Sequence, residues 1–144
     1  MNLQELGVKY GTDKSTHTYK GFTYLNFYQK YLSSIRLDVK VFVEIGVLNG
    51  KSLKMWEEYF PNAIIYGIDI NPNCKQYESE RIKIFIGSQD DEEFLNELKS
   101  KIGEIDVLYN SVKVGGFYII EDLANSYEEV LNHHNIREIW PGMS

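Results

Sequence analysis

A doubly wound α/β fold on a parallel sheet is what this sequence predicts, and three observations predict it. Short β-branched and aromatic runs recur along the chain, stretches of helical periodicity alternate with them, and several runs end in a glycine or an acid. Alternation of this kind requires parallel strands joined by right-handed crossovers, with ligands beyond the carboxyl ends of the strands. With 144 residues, the length fits one domain that buries roughly 68–70% of its unfolded surface.

Two regions are expected: an N-terminal cap with one helix over residues 1–39, and the sheet domain over 40–144. The first 23 residues read as polar and turn-rich, with Tyr10-Gly11-Thr12-Asp13-Lys14 the most distinctive piece. Tyr24, Leu25, Tyr28, Tyr31 and Leu32 recur at helical spacing, so a short amphipathic helix is predicted over about residues 22–32. Val41-Phe42-Val43-Glu44-Ile45 reads as a buried strand ended by Gly46. A helix over about residues 52–59 follows, with Leu53, Trp56 and Tyr59 inward and Pro61 closing it.

Ala63 through Ile68 is the second strand, with Asp69 at its end, and Arg81 through Ile86 is the third. Over about residues 91–102, acids lead, Phe94, Leu95, Leu98 and Ile102 form a stripe, and lysines precede Gly103, which predicts a helix. Ile105-Asp106-Val107-Leu108 is a fourth strand. Lys113-Val114-Gly115-Gly116 reads as a turn into a fifth, Phe117-Tyr118-Ile119-Ile120, ending at Glu121-Asp122.

The charge balance narrows the function. A formal net charge of −6 argues against a nucleic-acid partner, because phosphate backbones need a concentrated cationic surface. No apolar run approaches the roughly 20 residues of a membrane span, and the first residues are no signal peptide, so a cytoplasmic location is expected. The single cysteine, Cys74, excludes an intrachain disulfide framework and suits a reducing compartment. Its neighbours Asn73 and Lys75 supply neither a helix N-terminus nor a base, so it reads as a loop or partly buried thiol.

Three strand ends carry candidate site residues. In the first, Glu44-Ile45-Gly46-Val47-Leu48-Asn49-Gly50-Lys51-Ser52, the glycines permit a tight turn close to a ligand. A dinucleotide loop needs a glycine where Leu48 stands, because a side chain there crowds the pyrophosphate. An acid two residues before the first glycine suits a ligand with a positive amine and no phosphate, as in S-adenosylmethionine. The alternative is an ordinary strand–turn–helix with structural glycines.

The second end is Asp69, 19 residues after Gly50, the separation at which an acid commonly accepts hydrogen bonds from ribose hydroxyls. Turn chemistry alone is the alternative there. Gly87-Ser88-Gln89-Asp90, after the third strand, reads either as an adenine-edge loop or as a helix cap formed by Ser88 or Asp90. The third end, Glu121-Asp122, offers two carboxylates to a hard cation such as Mg²⁺, or else caps the next segment.

Together, four strings carry a family resemblance. They are Tyr10–Lys14 with His17 and Tyr19; Glu44-Ile45-Gly46 through Trp56; Tyr66-Gly67-Ile68-Asp69-Ile70; and Gly115-Gly116-Phe117 through Leu123. They resemble the bacterial S-adenosylmethionine-dependent sugar O-methyltransferases similar to the macrocin and mycinamicin enzymes, the group that includes cephalosporin-hydroxylase-like proteins. The likeness runs over about residues 8–127, and it rests on the combination of strings, each weak alone. It implies a Rossmann-like sheet of the class I methyltransferases and Mg²⁺-assisted methyl transfer to a hydroxyl, usually of a saccharide. By position, Glu44, Gly46, Gly50 and Asp69 would bind the cofactor, Ser88 and Gln89 would line the adenine, and Glu121 and Asp122 would be metal ligands. Ser88 departs from the acid the family commonly has there.

A larger departure follows the fourth strand. The family continues into a D-D-G-S-H-type stretch that carries a further metal ligand and the proposed general base, whereas here Leu108 runs directly into Tyr109-Asn110-Ser111. A crossover between parallel strands needs about 10–12 residues, so a break is expected between 108 and 109. The last two strands of a methyltransferase sheet are also expected to be missing, and no general base is identifiable. His17, His133 and His134, the only histidines, sit at no strand end and read as surface or loop residues. Two other classes compete: a nicotinamide-dependent oxidoreductase and a non-catalytic S-adenosylmethionine-binding protein. The expected partners are a small-molecule acceptor and, in a homo-oligomer, further copies of the chain.

Overall fold

Residue type and local capping set the elements seen in the computed structural model, which describes residues 1–16, 18–19, 21–107 and 112–117. The chain opens with α1 (Leu3–Tyr10), then a two-stranded antiparallel hairpin of β1 (Thr18–Tyr19) and β2 (Phe22–Thr23), and then α2 (Tyr24–Leu32). The cap therefore holds two helices where one was expected. The Asn2 side chain accepts from Glu5 N–H, the Glu5 carboxylate accepts from Asn2 N–H in turn, and Gly11 closes the helix at φ +66°. This reciprocal box satisfies orphan donors at the helix start and makes an eight-residue helix viable despite its polar residues.

The remaining elements are β3 (Val41–Ile45), α3 (Lys51–Tyr59), β4 (Ile64–Asp69), β5 (Ile82–Ile86), α4 (Glu92–Ile102), β6 (Ile105–Val107) and β7 (Val112–Phe117). They form one parallel sheet in the order β5-β4-β3-β6-β7. A doubly wound sheet of five parallel strands is thus present, the first four close to where the sequence places them and the fifth described over Val112–Phe117. Its order reverses at β3, so a crevice is expected at the carboxyl ends of β3 and its neighbours.

Alternation along the strands divides the core between two faces. On one face Phe42, Ile65, Ile82 and Ile84 pack with Leu53, Trp56 and Phe60, and Leu3, Leu6, Leu25 and Tyr28 of the cap belong to the same cluster. Phe42 lies 4.8 Å from the Trp56 ring and 5.3 Å from the Phe60 ring, centroid to centroid. On the other face Val43, Ile68 and Ile105 pack against Leu98 of α4. The Arg81 guanidinium donates to the carbonyls of Glu57, Phe60 and Ala63, satisfying acceptors left over at the end of α3.

One expectation changes at the far edge. Lys113–Gly116, read as a turn, lies within β7, because Val112 already pairs with Ile105. Only residues 108–111 separate β6 from β7, and the pairing register shifts between Ile105 and Val107. The expected break between 108 and 109, residues 118–120 of the predicted fifth strand and everything beyond lie outside the described residues. No described helix is long and apolar enough to cross a membrane.

Candidate functional site

The loop from β3 to α3 turns on two glycines. Gly46 sits at φ +88° and donates its N–H to Ile68 O at 2.8 Å, holding the loop base against β4. Gly50 sits at φ +70°, and a Cβ there would come within 2.5 Å of the Tyr77 ring, so both conformation and space demand glycine. Between them Val47 is buried, whereas Leu48 is 76% exposed.

Leu48 has φ +52°, the only non-glycine positive φ among the described residues. Such a conformation persists where surrounding bonds over-determine it. Leu48 N–H donates to Asp69 Oδ2 at 3.3 Å, and its carbonyl accepts from the Cys74 thiol at 3.7 Å. Leu48 thus takes the left-handed shape of a glycine while keeping a large side chain at the mouth of the site. Cys74 is fully buried, as a support beneath the loop, and burial together with the neighbouring Asp69 carboxylate pushes its pKa up.

Asp69 is the other half of this device. Its Oδ2 accepts from Val47 N–H at 2.7 Å as well as from Leu48, and its Oδ1 accepts from Asn71 N–H at 2.8 Å. Burial works against its charge, but backbone donation from Asn71, Val47 and Leu48 outweighs it and holds the carboxyl below the usual range. Three backbone donors and the neighbouring Cys74 thiol thus surround this carboxylate.

Glu44 projects on the α3 face, following the alternation of β3 after Phe42. Its Oε2 accepts from Ser52 Oγ at 2.9 Å, and its Oε1 stands 3.5 Å from Lys14 Nζ. The sequence reading named neither Ser52 nor Lys14 as a site residue, although both lie in the strings it singled out. The contact between Lys14 and Glu44 joins the cap to the end of β3, a link that periodicity cannot show.

The loop after β5 adjoins this assembly, since Gly87 N–H donates to the Asp69 carbonyl at 3.0 Å. Gly87 has no room for a Cβ because the Phe94 ring lies against it. Ser88 is half-buried and accepts from Asp90 N–H at 3.1 Å, while Gln89 is exposed. Neither Ser88 nor Asp90 caps α4. That position belongs to Asp91, whose side chain accepts from Phe94 N–H at 3.0 Å one turn in.

The structure therefore gathers Glu44, Gly46, Gly50 and Asp69 at the switch point of the sheet, with Ser88 and Gln89 at the adjoining strand end. Glu121, Asp122, His17, His133 and His134 lie outside the described residues. Among the described residues no group of three His, Cys, Asp or Glu side chains could hold a metal ion.

No family model matches the chain. The chain is 30% identical to an 8-demethyl-8-alpha-L-rhamnosyl tetracenomycin-C 2'-O-methyltransferase of Streptomyces olivaceus, over 87% of this chain and 38% of that protein. It is 28% identical to the mycinamicin VI 2''-O-methyltransferase of Micromonospora griseorubida, over 98% of this chain and 38% of that one. Among solved structures, the MycE methyltransferase of the mycinamycin biosynthetic pathway, in complex with Mg, SAH and mycinamycin VI, matches with a TM-score of 0.75. That match has 26% identity and covers 92% of this chain and 42% of the other. The chain spans about two fifths of the length of these relatives.

Proposed function

Because the chain belongs to the bacterial sugar O-methyltransferase family similar to the macrocin and mycinamicin enzymes, we propose that it forms the cofactor-binding part of an S-adenosylmethionine-dependent O-methyltransferase. The observation that carries this reading is the pinning of the Gly46–Gly50 loop by Asp69 at the switch point of the sheet. This arrangement fits an adenosyl group without phosphates: an acid faces the ribose position, and an exposed Leu48 occupies the place a pyrophosphate needs. The relatives reported above are methyltransferases, which gives the nicotinamide alternative no support.

When bound, the cofactor supplies an activated methyl group on sulfur. Asp69 would orient the ribose hydroxyls, Gly46 and Gly50 would let the backbone approach the ligand, and Glu44 would take the ammonium of the methionine tail. Ser88 and Gln89 line the adenine edge. Glu121 and Asp122 are the proposed Mg²⁺ ligands, and the proposed acceptor is a saccharide hydroxyl, as the names of the relatives suggest. The chain's part in the reaction is to hold donor and acceptor in line, which by itself lowers the barrier substantially.

A segment is proposed to be absent between residues 108 and 109. The match to the tetracenomycin-C enzyme runs over 151 positions, while 87% of this chain is about 125 residues; the difference of about 26 is ample for a parallel crossover, which needs a dozen or more. The link between β6 and β7 is the one parallel connection here that falls short of that length. Without that segment the proposed role of the chain is cofactor binding. A thermal-shift experiment tests the cofactor assignment: S-adenosylhomocysteine should raise the melting temperature and NAD should not, since only a ligand of the folded state stabilises it.

A further inference from the structure

We propose that Lys14 binds the carboxylate of the cofactor's methionine tail, opposite Glu44, so that the cap supplies half of a clamp for a zwitterion. The proposal rests on the cofactor assignment above and adds a residue to that site.

Lys14 is held by a built support. It lies in the short helical turn Asp13–Ser15, where Ser15 is buried and donates its hydroxyl to Thr12 O at 2.7 Å. Thr12 is also buried, with its N–H on Gly7 O at 3.1 Å, and Gln4 Nε2 donates to Ser15 O at 3.0 Å. Gly7 has no space for a side chain because Leu25 of α2 occupies it, so turn, α1 and α2 form one unit.

From that unit the Lys14 side chain, only 17% exposed, reaches the carboxylate of Glu44, itself 11% exposed. The separation of 3.5 Å exceeds that of a close charged hydrogen bond, whereas Ser52 holds the other oxygen at 2.9 Å. Glu44 lies two residues before Gly46, the first residue of the cofactor loop. A positive and a negative group therefore stand side by side at the loop where the tail of the ligand must lie.

An amino-acid tail carries an ammonium and a carboxylate on one carbon. Glu44 alone answers the first and repels the second, in a chain whose net charge is already −6. Lys14 answers the carboxylate. Insertion of the tail offers each of the two charges a partner of opposite sign on the ligand, within the partly buried site. The Tyr10–Lys14 string, far in sequence from every strand of the parallel sheet, gains a role in ligand selection by this arrangement.

Calorimetry with two ligands tests the assignment: S-adenosylhomocysteine, which has the tail, and 5′-methylthioadenosine, which lacks it. Lys14→Met should weaken S-adenosylhomocysteine by roughly 10- to 100-fold, the loss for a hydrogen bond to a charged group, and leave methylthioadenosine within about 2-fold. Lys14→Arg should retain most of the preference for the tailed ligand. Unchanged S-adenosylhomocysteine affinity in Lys14→Met overturns the proposal, as does an equal loss of both ligands, which marks a purely structural tie. If the wild-type chain binds neither ligand, the cofactor assignment itself fails, and the two failures are thereby told apart.

Discussion

Asp69 Oδ2 accepts the Val47 N–H at 2.7 Å, so the carboxylate at the end of β4 fixes the glycine loop at the end of β3. One side chain therefore shapes the loop and, as proposed, would face the ligand. Leu48 depends on the same oxygen for its left-handed backbone. Loop geometry and the proposed ligand recognition are thus coupled through a single acid.

That coupling has a pH consequence. Despite burial, backbone donors lower the Asp69 pKa in the folded state. A lowered carboxylate adds stability that is fully present above its unfolded value, near pH 4, and is lost as pH falls through the folded value. Asp69→Asn should therefore lose less melting temperature than wild type as pH falls from about 5 to about 2.5. Identical acid limbs in the two proteins would show that the loop does not depend on the charge.

Gly50→Ala should destabilise the fold by about 2–3 kcal/mol in urea titrations, from left-handed strain together with overpacking against Tyr77. Adding Tyr77→Ala should recover the packing part and leave the strain. Full recovery in the double variant would mean that φ +70° costs nothing here.

The elements legible in the sequence were those whose own residues bury them. β3, β4 and β5 are apolar runs ended by glycine or acid, and α4 carries a complete apolar stripe. α1 was not legible from periodicity, since Leu3 and Leu6 alternate with Gln4 and Glu5, although Asn2, Glu5 and Gly11 spell out its caps. Gly46, Gly50 and Asp69 were readable because loop glycines and a strand-end acid punctuate the pattern. Lys14 was not, because its meeting with Glu44 depends on how the cap packs against the sheet. The choice of Asp91 over Ser88 or Asp90 as helix cap is a shift of a few residues that competing cap formers leave undecided until the loop is built.

Metal dependence offers a separate test of the enzymatic reading, in a chain that carries the proposed segment between 108 and 109. Glu121→Gln or Asp122→Asn should abolish Mg²⁺-dependent methyl transfer to a glycoside acceptor while leaving S-adenosylhomocysteine affinity within about 2-fold, because those acids are assigned to the metal alone. Wild-type turnover by either variant in the presence of EDTA would assign them a structural role.

Calorimetric titration of S-adenosylhomocysteine into the wild-type chain and into Asp69→Ala bears most directly on the claim that the Gly46–Gly50 loop and Asp69 form the cofactor site. The wild-type chain should bind, and the substitution should weaken binding by about 1.5–3 kcal/mol, the range for a lost hydrogen bond to a charged group. Equal affinity in the two proteins, or no binding by the wild-type chain, would contradict it.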